Sequence, residues 1–233
     1  MVQSTLVAAP DGDRRLAELA APLRLDELVP GGGPWEVELG FGKGRYLLRR
    51  AQEDPARRFL GVEMASKYFR LAVDRAGKRG LRNLLAIRGE ALYLAAAVLP
   101  AGFATALHVY FPDPWPKSRH HKRRLFDAES IDLVLGLLEP GGRLFFATDF
   151  LDYGAEVEAV LAGHPRLALR RHDGPWPEGP RTNYEAKYER EGRPILRLEA
   201  TLRPVPEPGA GEPAVGLHPA AEPAVVAACW VED

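Results

Sequence analysis

Short apolar runs alternate with longer amphipathic segments through most of the chain. Apolar runs of strand length lie at 35–39, 58–63, 84–88, 104–111, 143–148, 167–171 and 195–202. Apolar residues three and four positions apart predict helices at 45–53, 66–79, 92–99, 123–138 and 153–161. Strands and helices in alternation are typical of a parallel sheet that is covered on both faces. The pattern therefore predicts an α/β fold with a mostly parallel sheet.

The two ends of the chain do not follow this alternation. Residues 1–34 combine acidic turns and prolines with a short helical stretch around 14–28, and they close with Pro30-Gly31-Gly32-Gly33-Pro34, which marks a boundary. From Pro204 onward more than half of the residues are Pro, Gly or Ala. We therefore predict an N-terminal extension at 1–34, a main domain at 35–203 and a flexible tail at 204–233.

The formal net charge of −1 is the sum of two unlike regions. Taken alone, it argues against a polyanionic partner. However, the last thirty residues hold five of the 32 acidic residues and none of the 31 basic ones, which leaves 31 basic against 27 acidic residues in 1–203. The body is mildly basic and the tail is acidic.

Cysteine use and the N-terminal sequence bear on the compartment. The one cysteine, Cys229, has no partner for an internal disulfide, and the N-terminus lacks the pattern of a signal peptide. We therefore expect a cytoplasmic protein. No run of about 18 apolar residues is present, so no membrane span is expected.

A glycine-rich turn follows the first strand of the main domain. Its sequence, 38–44, is Glu-Leu-Gly-Phe-Gly-Lys-Gly, and glycines at a strand-to-helix turn let a ligand lie against the backbone. Nineteen residues after Gly44, Glu63 ends the next strand, near the spacing at which an acid reaches ribose hydroxyls. The glycines do not follow G-x-G-x-x-G, and Glu38 would repel a pyrophosphate. These features favour a ligand-binding site over an ordinary tight turn. The ligand they suit is cationic, with a ribose and no phosphate, such as S-adenosylmethionine.

A stiff loop and a basic stretch follow the fourth of these strands. Three prolines at 112, 114 and 116 restrict the backbone around Asp113. Residues 117–124 then supply five Lys or Arg and two His with no acid. This composition predicts a phosphate-binding patch, and the alternative is a solvated helix start.

Together these segments resemble the bacterial tRNA (guanine-N7)-methyltransferase family. The likeness is carried by E-L-G-F-G-K-G at 38–44, G-V-E at 61–63, F-P-D-P-W-P-K-x-R-H at 111–120, T-D at 148–149 and T-N-Y-E-x-K-Y at 182–188. The resemblance covers about residues 35–203. It implies a class I methyltransferase (Rossmann-like) fold, with a mostly parallel seven-stranded sheet, helices on both faces and S-adenosylmethionine as the methyl donor. The implied substrate is a guanosine in the variable loop of tRNA, and the product is 7-methylguanosine.

The resemblance also assigns site residues. The cofactor-binding residues are Glu38, Gly40, Gly42, Gly44, Glu63, Glu90 and Asp113. The substrate-binding residues are Lys117, Asp149, Thr182, Asn183, Tyr184 and Glu185. In the basic stretch, the predicted RNA phosphate contacts are Arg119, His120, Lys122 and Arg123. The family commonly has Asp where this chain has Glu90, so a small shift of geometry is expected there.

The chemistry of guanine suggests what the carboxylates do. Its N7 atom carries a lone pair and no proton, so methylation needs no general base, and alignment is the main source of rate. Asp113 is the predicted catalytic residue, which stabilises the positive charge that develops on the ring or, alternatively, orients the guanine. Either Asp149 or Glu185 reads the guanine edge, whose ring N–H and exocyclic amine suit a carboxylate.

The expected partner is tRNA, with no membrane and no metal. His120 and His121 have no Cys or acid at ligand spacing. The chain is expected to be a monomer or a homodimer. Two alternatives stay open: a methyltransferase of the same fold that acts on a different RNA or a small molecule, and an RNA-binding protein without catalysis. The acids at 38, 63 and 113 disfavour the second, because a pure binder has little need for three acids beside a polyanion.

Overall fold

The computed structural model describes residues 22–115 and 124–204, together with the backbone of 6–9 and 12–15. The strands are β1 (Leu6–Ala9), β2 (Gly12–Arg15), β3 (Trp35–Leu39), β4 (Arg58–Glu63), β5 (Leu84–Arg88), β6 (Ala104–Tyr110), β7 (Leu138–Thr148), β8 (Leu167–Arg171) and β9 (Leu196–Leu202). The helices are α1 (Leu25–Leu28), α2 (Arg45–Glu53), α3 (Ser66–Lys78), α4 (Ala91–Ala97), α5 (Ile131–Leu135), α6 (Leu151–Gly163) and α7 (Asn183–Arg190).

The nine strands form one sheet in the order β2-β1-β5-β4-β3-β6-β7-β9-β8. The five central strands, from β5 to β7, are parallel, whereas β9 runs antiparallel to both β7 and β8. Strands β3–β9 confirm the predicted seven-stranded, mostly parallel sheet. The order reverses next to β3, where α/β sheets bind ligands beyond the carboxyl ends of their strands.

Successive strand residues point to opposite faces of the sheet and build two unlike layers. On one face, Leu60, Leu107 and Leu144 belong to the largest apolar cluster, which α4, α5 and α6 cover. On the other face, Phe59 packs with α2 and α3 in a second cluster. The absence of a side chain at Gly61 lets α2 lie close to β4, since a Cβ there would overlap Leu47 and Phe41.

The N-terminal segment differs from its prediction. The expected helical stretch around 14–28 is wrong in part, because Arg14 and Arg15 belong to strand β2 and the described helix covers only Leu25–Leu28. Strand β1 pairs with β2 and with β5, so it extends the sheet by two antiparallel strands. The division into parts at 34 and 203 stays a prediction, and the proposed tail beyond residue 204 lies outside the described residues.

The predicted helix over 123–138 is also wrong for most of its length. In the described part, only Ile131–Leu135 is helical. The Asp127 carboxylate accepts hydrogen bonds from the backbone N–H groups of Glu129 and Ser130 and from the Ser130 hydroxyl. Such local bonds compete with helix formation. Strand β7 begins at Leu138, before the Gly-Gly pair, with an irregular register against β6.

Candidate active site

Five acidic residues lie in or just beyond the carboxyl ends of five neighbouring parallel strands, at the same edge of the sheet. They are Glu38 near the end of β3, Glu63 at the end of β4, Glu90 after β5, Asp113 after β6 and Asp149 after β7. Because the carboxyl ends of adjacent parallel strands share one edge, the topology brings together acids that are far apart in the sequence. These acids therefore share the edge at which such sheets bind ligands.

The glycine-rich turn leaves an open cradle between β3 and α2. Gly40, Gly42 and Gly44 have φ values of 76°, 54° and 71°, a backbone region that favours glycine. A Cβ atom added at Gly40 or Gly42 would meet nothing within 4 Å, so a ligand can lie directly against this backbone. Glu63 fixes the turn by accepting hydrogen bonds from Gly42 N (2.8 Å) and Ala65 N (2.7 Å).

Glu38 is a carboxyl group held in the interior beside this turn. Its side chain accepts a hydrogen bond from Leu47 N (3.1 Å) in the first turn of α2. Burial, together with the nearby charge of Glu63, raises the pKa of Glu38 to about 8, although the Leu47 hydrogen bond and the charge of Arg181 act in the opposite direction. A cation placed next to Glu38 would favour its ionised form. The buried carboxyl group of Glu38 therefore fits a cationic ligand.

Glu90 is the N-cap of α4 and is exposed. Its carboxylate accepts hydrogen bonds from Leu92 N (3.0 Å) and Tyr93 N (2.6 Å). The sequence did not indicate this capping role, because Glu is not among the residues preferred at an N-cap. Since a carboxylate offers about four lone-pair sites, capping leaves acceptor capacity for a ligand.

The loop that carries Asp113 is anchored at both ends. Phe111 N donates to Ala147 O (2.7 Å), and Arg124 Nε donates to Pro114 O (2.8 Å). Phe111 has a φ of 52°, a strained conformation for a residue with a side chain. Asp113 itself is exposed. The expected rigid loop with a projecting carboxylate is therefore present as far as Trp115, and the predicted contacts Lys117, Arg119, His120, Lys122 and Arg123 lie outside the described residues.

The predicted substrate segment begins helix α7 and is not a loop. Thr182 is the N-cap, and its hydroxyl accepts a hydrogen bond from Glu185 N (3.0 Å). Asn183 Oδ1 lies 3.4 Å from Arg45 Nη1 at the start of α2, which links this segment to the glycine-rich turn. Tyr184 is 55% exposed and contacts the ring of Phe111.

Glu185 lies inside the protein. It has no exposed surface, and its two oxygens accept hydrogen bonds from Arg181 N and Arg197 Nε, both at 2.7 Å. This position argues against Glu185 as the reader of a guanine edge, because it presents no surface that a base could contact. Asp149 is half-buried at the end of β7, and its carboxylate lies 3.9 Å from Arg193 Nη1.

A buried polar network beneath the site was missed from the sequence. It lies on one face of β3 and β6 and joins α2 to the segment before α7; its members are Glu36, Tyr46, His108, Tyr110 and Arg181. The network has a sequence signal, since E-V-E at 36–38 and H-V-Y at 108–110 place polar residues at alternate positions of strands that are otherwise apolar.

The described residues contain neither a metal-ligand cluster nor a membrane-spanning helix. Within residues 22–115 and 124–204, no three His, Cys, Asp or Glu side chains are grouped so that they could hold a metal ion. Among the same residues, no helix combines the length and the apolar character that crossing a membrane requires.

Comparison with known proteins places the chain in a family. Residues 33–198 match the family model described as putative methyltransferase. The chain is 36% identical over 162 residues to the tRNA (guanine-N7)-methyltransferase of Nitrosococcus oceani. The aligned part covers 70% of this chain and 69% of that protein. It is 38% identical over 188 residues to the enzyme of the same name from Leifsonia xyli subsp. xyli. That alignment covers 79% of this chain and 82% of the relative.

Solved structures agree with this assignment at the level of the fold. The antibiotic-resistance methyltransferase Kmr aligns with a TM-score of 0.56 and 21% identity over 86% of this chain and 99% of that one. The 16S rRNA methyltransferase KamB aligns with a TM-score of 0.57 and 17% identity over 85% and 100%. Both are methyltransferases, as is the family that the sequence matches. With its glycine-rich turn and strand-end acids, the chain belongs to the tRNA (guanine-N7)-methyltransferase family.

Proposed function

We propose that this protein transfers the methyl group of S-adenosylmethionine to N7 of a guanosine in the variable loop of tRNA, forming 7-methylguanosine. The observation that carries the proposal is the open glycine-rich turn between Glu38 and Glu63, in a chain of this family. The turn, the strand-end acids and the exposed Asp113 loop all lie at the edge where such sheets bind ligands.

The residues around the turn fit the cofactor. Gly40 and Gly42 leave its backbone uncovered, Glu38 gains from a nearby cation, and Glu63 is at the strand end from which a ribose is reached. Glu90 completes the set on the adenine side. S-adenosylmethionine, when bound, supplies an electrophilic methyl group on a sulfonium. The protein's own contribution is to hold that group in line with the acceptor nitrogen and to exclude water.

Asp113 is the proposed catalytic residue. It acts on the guanine from a loop whose backbone is fixed on both sides, by Phe111 and by Arg124. The guanine ring gains positive charge as the methyl group transfers, and a prepositioned carboxylate stabilises that charge without reorganisation. No group needs to remove a proton from N7, so this role does not depend on a base in the site.

The proposed substrate side consists of Asp149 and the exposed start of α7. Asp149 is the better-placed reader of the guanine edge, since it is partly exposed whereas Glu185 is not. Tyr184 offers an exposed ring beside Phe111, and aromatic rings stack on bases. Thr182 and Asn183 flank it. The basic residues Lys117, Arg119, His120, Lys122 and Arg123 supply the positive charge that an RNA backbone requires.

The test is transfer of labelled methyl from S-adenosylmethionine to unmodified tRNA, followed by mapping of the modified nucleotide. We expect one 7-methylguanosine in the variable loop. Asp113→Asn should lower kcat by about 100-fold with the tRNA and cofactor saturating. Asp74→Asn is the control, because Asp74 is an exposed carboxylate paired with Lys78 on α3. Label in another RNA but not in tRNA would refute the substrate assignment, and near-native turnover of Asp113→Asn would refute the role of Asp113.

A further inference from the structure

One buried arginine stands directly before the exposed segment 182–184. Arg181 is 6% exposed, and its guanidinium lies against four aromatic rings. The ring centroids are 3.9 Å away for Trp176, 4.6 Å for Phe145, 5.5 Å for Tyr46 and 5.6 Å for Tyr110. These rings belong to the loop after β8, to β7, to α2 and to β6. A single side chain therefore contacts four parts of the structure that surround the proposed site.

The hydrogen bonds of Arg181 have a fixed direction. Its Nη1 donates to Tyr110 Oη (2.5 Å), and Tyr110 Oη lies 2.8 Å from His108 Nδ1. Burial lowers the pKa of His108 to about 4, so the ring is neutral at neutral pH. A guanidinium only donates, so Tyr110 Oη accepts from Arg181. The ionised Glu36 carboxylate, 3.4 Å from His108 Nε2, only accepts, which places the hydrogen of the neutral ring on Nε2. Nδ1 therefore accepts a hydrogen bond from the Tyr110 hydroxyl.

The backbone of Arg181 is fixed as well. Its N–H donates to Glu185 (2.7 Å), whose other oxygen accepts from Arg197 Nε, and Thr182 caps α7 through Glu185 N. The chain is therefore held on the inner side of Arg181 and at the first turn of α7. Tyr184 projects from between these anchors and is 55% exposed.

We propose that Arg181 is a positioning residue, which holds the substrate segment 182–184 in place relative to α2, behind the glycine-rich turn, and to β6, which leads to Asp113. This inference rests on the proposed function. Arg181 does not reach the substrate itself. A planar guanidinium packs between the rings while it donates to both Tyr110 and Glu178, whereas a lysine ammonium has no planar face to pack against the rings.

The consequence differs for the two substrates. The cofactor residues Glu38, Gly42 and Glu63 have their own bonds to α2 and to the turn. Loss of the Arg181 contacts should therefore leave the cofactor affinity unchanged and should misplace the RNA. Misplacement by about 1 Å is enough to cost a large factor in rate.

The experiment compares Arg181→Lys with Arg143→Lys. Arg143 is the matched control, because its guanidinium also lies over the Phe145 ring (5.2 Å) while its side chain is 55% exposed. For Arg181→Lys we expect a loss of about tenfold or more in kcat/KM for tRNA, with the cofactor Kd within about twofold of native. Arg143→Lys should change neither. Tyr110→Phe keeps the ring, removes the hydroxyl and should show a smaller loss of the same kind.

Two results would overturn the proposal. One is a native kcat/KM for tRNA in both Arg181→Lys and Tyr110→Phe. The other is a cofactor affinity in Arg181→Lys that falls by the same factor as kcat/KM for tRNA. If Arg181→Lys does not fold, the kcat/KM for tRNA and the cofactor Kd of Tyr110→Phe test the proposal instead. Hydrogen exchange of the RNA-free protein adds a readout that needs no substrate. Exchange should quicken at 182–190 and stay native at 66–78 in Arg181→Lys, and native exchange at 182–190 counts against the proposal. If the native chain methylates no RNA, the proposed function fails while this readout still judges Arg181.

Discussion

Replacing Glu38 with Gln is expected to stabilise the fold, and by more as the pH rises. Glu38 is 3% exposed, and its pKa is raised from 4.5 to about 8, mainly by burial. The folded protein therefore holds the proton more tightly than the unfolded chain does. Its stability must fall as the pH rises from 4.5 towards 8, where the carboxylate ionises inside the protein.

The magnitude follows from the two pKa values. A difference between 4.5 and about 8 corresponds to about 5 kcal/mol of penalty above pH 8, at 1.36 kcal/mol for each unit. Gln keeps the shape of Glu and can still accept the Leu47 N–H, but it has no charge to bury. The gain in unfolding free energy for Glu38→Gln should therefore grow by about 3 kcal/mol between pH 5 and pH 8.

The assay is urea denaturation of the cofactor-free protein at several pH values. Glu36→Gln is the matched control, since Glu36 lies two residues away on β3 and is also buried. Although burial raises its pKa, the hydrogen bond and charge of His108 and the charge of Arg50 hold the pKa of Glu36 at about 2. The stability that Glu36 contributes is lost only as the pH falls from 4.5 towards 2, so Glu36→Gln should be destabilised by a constant amount from pH 5 to pH 8. A flat difference for Glu38→Gln over this range would refute the reasoning.

Three further predictions concern the same region. Gly42→Ala should cost about 1 kcal/mol of stability, because the φ of 54° disfavours a side chain, and about tenfold or more in cofactor affinity, measured by calorimetry. Cofactor binding at pH 7 should release about one proton, since a cation beside Glu38 lowers its pKa from about 8; calorimetry in buffers of different ionisation enthalpy measures this. Glu185→Gln should cost about 3 kcal/mol in urea denaturation, because it leaves the buried Arg197 guanidinium without this charge partner.

The placement of the strand-end acids could be predicted because it depends on a simple rule. Glu63 and Asp149 each follow an apolar run, and parallel strands bring their carboxyl ends to one edge. The rule needs only the period of the apolar residues and the order of the strands. Periodicity fails where local side-chain bonds decide the structure, as at Asp127, which turns the chain before α5, and at Thr182, which begins α7.

The role of each acid could not be predicted, because it depends on partners distant in the sequence. Glu36 and Glu38 share a strand and a face, yet the Arg50 guanidinium lies 3.3 Å from the first carboxylate, whereas the second accepts a hydrogen bond from Leu47 N–H. Glu185 matches the family motif, and only the fold reveals that it lies against Arg197 in the interior. Sequence patterns give the face of an element, whereas ionisation depends on what covers that face.

The buried polar network occupies the face of β3 and β6 that aliphatic residues would otherwise fill, and its hydrogen bonds explain why polar residues stand there. On the opposite face, replacing Leu107 or Leu144 with an apolar side chain of similar volume should cost less than about 1.5 kcal/mol, because dispersion contacts have little direction. Hydrogen bonds from Arg181 through Tyr110 to His108 permit one arrangement of donors and acceptors. A network of this kind costs desolvation energy but fixes the orientation of its members. That property suits the residues that connect α2, behind the glycine-rich turn, to the substrate segment 182–184. The rate of the proposed reaction depends on alignment more than on acid or base strength.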